Sequence, residues 1–277
     1  MGLEKRLSHD PLATVERACA ITELIASAEY LVHRKNRQYG GLNDWTYLRS
    51  QFPGGTAKLW NKLNETQAEV AYMALHLLKI THNVALLSPL SNNGIRAYCN
   101  LVQSVCYLTL QPRQFFGTDG ADQLSFLGNA ASALGRMGGS SESRKAAADF
   151  LALQVTISYF ISGVVKSPGK RWARGNALEG VMATETYGDR KFYRFLQKHP
   201  RIGRVTTRGT VILESLMPLA MINETVLKAT LALFGTFHLA NARAMGLGRF
   251  VLPFISTYPA ILNFRSSIFR PGEATKK

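Results

Sequence analysis

Residues 154–166 read QVTISYFISGVVK and carry no charge until the last of them, Lys166. This mainly apolar run predicts a helix, and the Ser-Pro-Gly that follows predicts its end. A helix of this kind either lies in the core of a water-soluble protein or crosses a bilayer. A span needs about 20 mainly apolar residues, and the charge-free windows 150–165 and 97–112 are shorter. The rest of the chain has to separate the two alternatives.

The composition of the chain points in both directions. Charged residues make up 18% of the 277 residues. The usual share in soluble domains is about 25%, so this deficit favours a membrane protein. The mean hydropathy of -0.03 favours a soluble one. The net charge of +15 is typical either of nucleic-acid-binding proteins or of membrane proteins with basic cytoplasmic loops. The Lys and Arg residues are spread over several connecting stretches, which fits loops better than a binding groove.

Most apolar segments have helical spacing, and alternating β-branched runs are absent from the sequence. We predict an all-α fold, a multi-pass transmembrane bundle of roughly six or seven apolar helices in one domain over 1–277. A hydrophilic connection over 167–208 and a basic tail over 265–277 complete the predicted organisation. The predicted helices lie at about 15–32, 68–87, 97–110, from about 119 onward, 146–166, 210–221, 226–245 and 250–264.

Several of these helices carry charges near their middle, and charges inside spans are rare because they are expensive. The first helix is interrupted by Glu16, Arg17, Glu23 and Glu29. The start of the fourth has two candidate caps, Asp119 and Asp122.

Common catalytic and metal-binding motifs are absent from the sequence, including GxxxxGK[ST], HExxH and GxSxG. Cys19, Cys99 and Cys106 lack CxxC spacing and predict small core residues rather than disulfides or a zinc site. We expect no metal site. The N-terminus has no long apolar stretch with a small-residue cleavage site, so we expect no cleavable signal peptide.

One set of motifs is more informative, and its strongest part comprises Tyr159-Phe160, Gly163, Lys166, Trp172, Gly175 and Ala177-Leu178. This set resembles the signature YF-x-x-G-x-x-K … W-x-x-G-x-AL of the HTTM family, the membrane domain shared by vitamin K-dependent γ-glutamyl carboxylases and many bacterial proteins. Within that family the chain is most similar to the branch that includes the sporulation-delaying-protein B family, which helps mature a secreted peptide toxin. The resemblance covers roughly residues 17–254.

Other positions follow the family's order. Arg113 and Asp122 resemble an Arg followed by a Gly-Gly-Asp element, although Ala121 replaces one glycine. Glu214 resembles the glutamate of a Glu-x-x-x-Pro element, and His238 resembles a later histidine. The resemblance implies a membrane protein of the cell membrane that crosses the bilayer several times.

The resemblance implies a catalytic role for Lys166. In the carboxylases, the matching lysine is thought to deprotonate the vitamin K hydroquinone, so a reduced quinone is the cofactor that the resemblance suggests. Removing an ammonium group from water favours its neutral form, and a lysine at the end of a membrane helix can then act as a base. The alternative is that Lys166 extends its charge to the lipid headgroups, with Trp172 as an interfacial anchor.

Glu214 and His238 have two interpretations as well. Intramembrane ionisable groups often relay protons or orient a substrate, which makes both residues candidates for a catalytic site with Lys166. They can equally pair with basic residues such as Arg243 or Lys228 as structural contacts.

Three further residues are predicted to be structural. We expect Arg113 and Asp122 to fix a loop at a helix start, by capping and a salt bridge. Gln154 is expected to make a hydrogen bond between helices.

The segment 183–208 is too small and too basic to replace the large substrate-recognition domain of the carboxylases. We therefore expect a stand-alone membrane module that takes part in the maturation of a secreted peptide or in quinone- or lipid-linked chemistry. Its expected partners are the lipid bilayer and a secreted peptide or a partner protein, and no nucleic acid. The alternatives are a non-catalytic structural or immunity-like membrane protein and a soluble, basic, helical nucleic-acid-binding protein. The sequence leaves open whether the protein is an enzyme.

Overall fold

A computed structural model describes residues 10–52 and 54–269. In these ranges every regular element is helical, so the predicted all-α fold is confirmed. Residues 1–9, where we expect no cleavable signal peptide, and residues 270–277 of the predicted basic tail lie outside the described residues. Residues 265–269 of that tail belong to the last helix.

The α-helices in chain order are α1 (Pro11–Val32), α2 (Trp45–Gln51), α3 (Ala57–Trp60), α4 (Glu65–Leu87), α5 (Asn93–Leu110), α6 (Gly120–Met137), α7 (Ser141–Lys166), α8 (Lys170–Arg174), α9 (Ala177–Met182), α10 (Arg190–Lys198), α11 (Pro200–Ser215), α12 (Met217–Ala220), α13 (Glu224–Met245), α14 (Val251–Ser256) and α15 (Tyr258–Phe269).

The chain divides into two compact units, which meet between Ala148 and Asp149 within α7. In unit 1, four long helices pack side by side: α1 contacts α4 and α6, and α5 also contacts α4 and α6. This is a four-helix arrangement with α2 and α3 as short additions. Unit 2 contains most of α7 and the helices α8 to α15, among which α13 packs against α12, α14 and α15. A single domain over 1–277 stays a prediction.

Local sequence signals account for the ends of the long helices. α4 begins with a capping box in which Asn64 and Gln67 each accept a hydrogen bond from the other's backbone amide, and it ends at Ser88 before a proline. α6 begins with a second box, formed by Asp119 and Asp122, so both candidate caps are used. α7 ends at Lys166 as predicted.

Two of the predicted helices are each divided into two in the structure. The predicted helix over 210–221 is divided at Leu216, because Pro218 has no amide hydrogen to continue the helix and sits instead in the first turn of α12. The segment 250–264 is divided into α14 and α15 for the same reason, with Pro259 in the first turn of α15. The hydrophilic connection 167–208 contains α8, α9, α10 and the first half of α11.

Two long helices of unit 1, α4 and α5, have inverted faces. On α5, large apolar side chains form the exposed stripe at helical spacing: Ile95, Tyr98, Leu101, Val105 and Leu108. The opposite face of α5 is polar and buried: Arg96, Asn100, Gln103 and Ser104. A surface helix of a soluble protein has the reverse distribution, with charge outward and apolar residues toward the core.

Two of the described helices, α4 and α7, are long and apolar enough to cross a bilayer. At about 1.5 Å per residue, the 23 residues of α4 span about 34 Å, against about 30 Å for the hydrocarbon layer. Only 28% of the most apolar window of α4 and 39% of that of α7 is buried, whereas the core helix of a soluble protein is mostly buried. These exposed apolar faces favour membrane association, and the larger predicted number of spans is not confirmed.

Candidate functional site

The predicted catalytic lysine and glutamate form an ion pair in unit 2. The Lys166 ammonium nitrogen lies 2.7 Å from Oε1 and 2.6 Å from Oε2 of Glu214. It also donates to Ser162 Oγ at 2.8 Å, one turn earlier on α7. The Glu214 side chain is 4% exposed and the Lys166 side chain is 24% exposed. The amine is therefore the part of the pair that can be reached from outside.

Trp172 completes the surroundings of the lysine. Its ring centre lies 5.3 Å from the Lys166 nitrogen, which is within the range of a cation–π contact. α8 carries the tryptophan and ends at Gly175, whose φ of 81° is in the left-handed region that favours glycine. A Cβ at Gly175 would also lie 3.0 Å from the Arg204 side chain. Gly175 thus lets α8 turn sharply and pass close to α11.

Gly163 allows α7 and α11 to approach each other. A Cβ at this position would lie 2.5 Å from both the backbone nitrogen and the hydroxyl oxygen of Ser215. Because Ser215 directly follows Glu214, the missing side chain lets the Glu214 carboxylate reach the lysine one turn away on α7. The residues Gly163 and Lys166 of the sequence motif thus act together.

An open groove of about 520 Å³ runs along α7 next to the pair. Its apolar lining comes from Ile157, Ile161 and Val165, and its polar lining comes from Gln154, Ser158, Ser162 and Lys166. The volume is within the range of small-molecule sites, about 300–1,000 Å³. The groove therefore fits an amphiphilic molecule, with an apolar body on the isoleucines and a polar group at the lysine.

His238 of α13 belongs to a second cluster, which includes Tyr159 of α7. Its Nε2 lies 2.8 Å from the hydroxyl of Tyr159, which in turn lies 3.3 Å from the hydroxyl of Tyr258. The Tyr159 ring stacks on Phe234 with centroids 3.8 Å apart. Tyr159 and Lys166 are seven residues apart on α7, or about 10 Å along the helix. His238 is therefore a neighbour of Tyr159 rather than a partner of the Lys166–Glu214 pair.

The predicted structural residues behave differently from one another. Asp122 caps α6 as expected. Arg113 is buried near the rings of Trp45 and Trp60, 5.2 and 5.5 Å from their centres, and among the described residues no salt bridge joins it to the start of α6. Gln154 lines the groove, and none of the hydrogen bonds among the described residues joins its side chain to another helix.

The proposed structural pairing of Glu214 with Lys228 does not occur. Lys228 pairs with Glu224 on its own helix, at 2.8 Å. The cysteines Cys19, Cys99 and Cys106 are buried and free, as predicted.

Sequence reasoning missed a buried ionic cluster in unit 1. The carboxylate of Glu16 contacts three partners: Arg96 at 2.8 Å, Asn100 at 2.7 Å and Arg136. Two helical turns further along α1, Glu23 forms an ion pair with Lys79 of α4. The available signal was the spacing of Glu16 and Glu23, seven residues apart on one face of an apolar helix.

No group of three or more His, Cys, Asp and Glu side chains that could hold a metal ion occurs within 10–52 and 54–269. Comparison of the chain with protein-family models, with curated proteins and with solved structures gives no match.

Proposed function

We propose that this chain is a multi-pass membrane protein of the HTTM type, and that Lys166 and Glu214 exchange a proton with an amphiphilic substrate in the groove along α7. Such chemistry fits the maturation of a secreted peptide or quinone- or lipid-linked reactions. The observation that carries the proposal is the accessible ammonium of a buried ion pair, placed at the end of an apolar helix beside an open apolar groove.

The inverted faces of the helices support the membrane part of the proposal. In a bilayer, apolar residues face lipid, and ionisable residues face the bundle interior, where they pair with one another. α4 follows this pattern with exposed Val70, Met73 and Leu77 and with buried His76 and Lys79. Charged side chains on the buried faces of α1, α5 and α6, among them Glu16, Arg96 and Arg136, lower the average hydropathy of those helices.

The geometry of the pair supports a proton-exchange role. The Lys166 ammonium donates hydrogen bonds to both carboxylate oxygens of Glu214. To act as a base, Lys166 must first pass a proton to Glu214, the acceptor within 2.7 Å. The neutral amine can then take a proton from a weakly acidic hydroxyl of the substrate, so that an O–H bond breaks and an N–H bond forms. A reduced quinone, the cofactor class suggested by the resemblance, has such a hydroxyl and an apolar body that fits the groove.

The membrane part is tested by extraction. Membranes that contain the expressed protein are washed with high salt and then with alkaline carbonate. We expect the protein to remain in the pellet through both washes and to require detergent for release. Release by either wash would contradict the multi-pass arrangement.

The site is tested by the reactivity of the amine. Lys166 in detergent-solubilised protein is acylated with an amine-selective reagent, and the rate is measured by mass spectrometry with and without a hydroquinone that carries one prenyl chain. We expect the hydroquinone to slow acylation of Lys166 but not of Lys228, whose side chain is 60% exposed on α13. Equal rates at Lys166 with and without the hydroquinone would instead favour a purely structural ion pair.

Two variants of Lys166 distinguish the effect of its positive charge from the effect of proton exchange. Lys166→Arg keeps a cation opposite Glu214 but cannot lose a proton, whereas Lys166→Met removes the cation. If the pair exchanges protons, Lys166→Arg keeps nearly wild-type thermal stability and loses the protein's cellular activity as completely as Lys166→Met. Full activity of Lys166→Arg would show that the charge alone matters.

A further inference from the structure

The interior of unit 1 contains a row of polar side chains between α1 and α4. Glu23 and Ser27 lie four residues apart on one face of α1, and His76, Lys79 and Asn83 lie on one face of α4. All five are buried, with exposures of 0 to 4%. We call these five residues the interior row. Glu23 and Lys79 form an ion pair at its centre.

Several atoms of the row are not satisfied by the protein. Ser27 Oγ, His76 Nδ1 and both polar atoms of the Asn83 side chain have no hydrogen-bond partner among the described residues. The side-chain oxygens of Gln103 on α5 and Asn129 on α6 also have no hydrogen-bond partner among the described residues. Buried polar groups are normally paired with protein or with ordered water, and leaving them unpaired costs about 1–3 kcal/mol each. The interior row thus has the polar lining that internal water requires.

The row is continued by ionic groups toward both ends of α1. At the start of α1, Arg136 bridges Glu16 to Asp10, whose side chain is 28% exposed. Toward the end of α1, His76 lies 2.6 Å from Gln114, and Arg37 pairs at 2.8 Å with Glu69, whose side chain is 21% exposed. The 22 residues of α1 cover about 33 Å, close to the thickness of the hydrocarbon layer.

The charge balance indicates what the row can carry. Glu23 is matched by Lys79, and Glu16 with Asp10 is matched by Arg96 with Arg136. Because these two layers are each neutral in sum, neither has a net charge that would attract a metal ion or an anion. A proton passed between water and ionisable side chains needs no net charge in the path, and relays in membrane proteins are built from such groups.

We infer that the interior row is a proton relay through unit 1, with the Glu23–Lys79 pair as its exchanging group; the inference rests on the proposed membrane location. A hydronium ion gives its proton to the Glu23 carboxylate, which breaks one O–H bond of the ion and forms another on Glu23. Lys79 then loses a proton to water on the other side. Transfer of the Glu23 proton to the Lys79 amine restores the original pair. One proton enters, one leaves, and no electrons are exchanged.

The relay is tested in liposomes that contain the purified full chain, a trapped pH-sensitive dye, potassium and valinomycin. After an external acid pulse, we expect the interior to acidify faster than in protein-free liposomes. The variant Glu23→Gln with Lys79→Gln removes both charges together and so leaves no unpaired ion. Its protein-dependent flux should fall by about 100-fold, the lower range of what a positioned proton-transfer group contributes. Glu65→Gln, which alters an exposed carboxylate in the first turn of α4, should conduct like the wild type.

A second variant covers the case in which the double variant does not fold. Asn83→Leu fills the row with an apolar side chain and leaves the Glu23–Lys79 pair in place, and it should also slow acidification. Carbonate-resistant protein with no flux above that of empty liposomes would overturn the relay and leave the proposed function intact. Protein that does not insert into the liposomes at all would overturn both.

Discussion

Glu16 in unit 1 and Glu214 in unit 2 are both buried carboxylates held by cations, but only the second ion pair is open to the outside. The side chains of Glu16 and Arg136 are 0% and 1% exposed, whereas the Lys166 side chain beside Glu214 is 24% exposed. Removing one partner of a buried pair leaves an uncompensated buried charge. A sealed pair therefore fixes the arrangement of helices, and a half-open pair leaves a cation available for chemistry.

The largest effect is expected from Glu16→Gln. It leaves Arg96 and Arg136 buried without their shared carboxylate, which costs about 3–5 kcal/mol when one partner of a buried pair is removed. The measurement is thermal unfolding of the detergent-solubilised protein. Glu65→Gln, at an exposed carboxylate, is the control and should leave the unfolding temperature nearly unchanged.

Lys166→Met tests the partly exposed pair in the same way as Glu16→Gln tests the buried one. Because the open side of its pair lets water reach Glu214, we expect a smaller loss of stability than for Glu16→Gln. If the order were reversed, the distinction between a sealed structural pair and an accessible reactive pair would fail.

The second prediction concerns the close helix contact behind the reactive pair. Gly163→Ala introduces a methyl group 2.5 Å from the Ser215 backbone nitrogen, so α7 and α11 must separate. We expect a loss of about 1–3 kcal/mol in the free energy of unfolding, as for other overpacked contacts. The separation should also expose Glu214 and speed acylation of Lys166.

Gly209→Ala is a matched control on α11. A Cβ at Gly209 meets no atom within 4 Å among the described residues. Alanine in place of glycine within a helix stabilises it by about 1 kcal/mol, so Gly209→Ala should have the opposite sign. Destabilisation of similar size by both variants would mean that the close contact between α7 and α11 at Gly163 is not the cause of the loss.

The sequence predicted features that depend on a few neighbouring residues. The end of α7 at Lys166 follows from an apolar run and a Ser-Pro-Gly turn, and the start of α6 follows from two acidic caps. Pro218 carried the signal for the break between α11 and α12, although the apolar pattern around it suggested a continuous helix. Apolar periodicity predicts which residues share one face of a helix. A proline within that pattern can still divide the helix.

The partners of the buried charges could not be predicted in the same way. Glu16 contacts Arg96 and Arg136, which lie 80 and 120 residues further along the sequence. Lys166 contacts Glu214, which lies 48 residues further along. Helical spacing places a charge on the buried side, but it does not say which helix lies opposite. The charges on α1 lower its hydropathy and so hide a helix whose exposed positions are mostly apolar. Inverted helices are therefore harder to detect from composition than helices with charge outward.

The smallest losses of stability are expected when hydrogen bonds of a tyrosine hydroxyl are removed, and each unit offers one such tyrosine. Tyr72 in unit 1 accepts a hydrogen bond from Gln114 at 2.9 Å, and Tyr159 in unit 2 lies 2.8 Å from His238 and 3.3 Å from Tyr258. Replacing either tyrosine by phenylalanine keeps the ring and removes hydrogen bonds worth about 1 kcal/mol each. Tyr159→Phe should cost more in thermal unfolding, because it removes the hydrogen-bond partner of both the buried His238 and the half-buried Tyr258. After Tyr72→Phe, Gln114 keeps its contact with His76. A larger loss for Tyr72→Phe would mean that its single contact with Gln114 contributes more to stability than the two contacts of Tyr159.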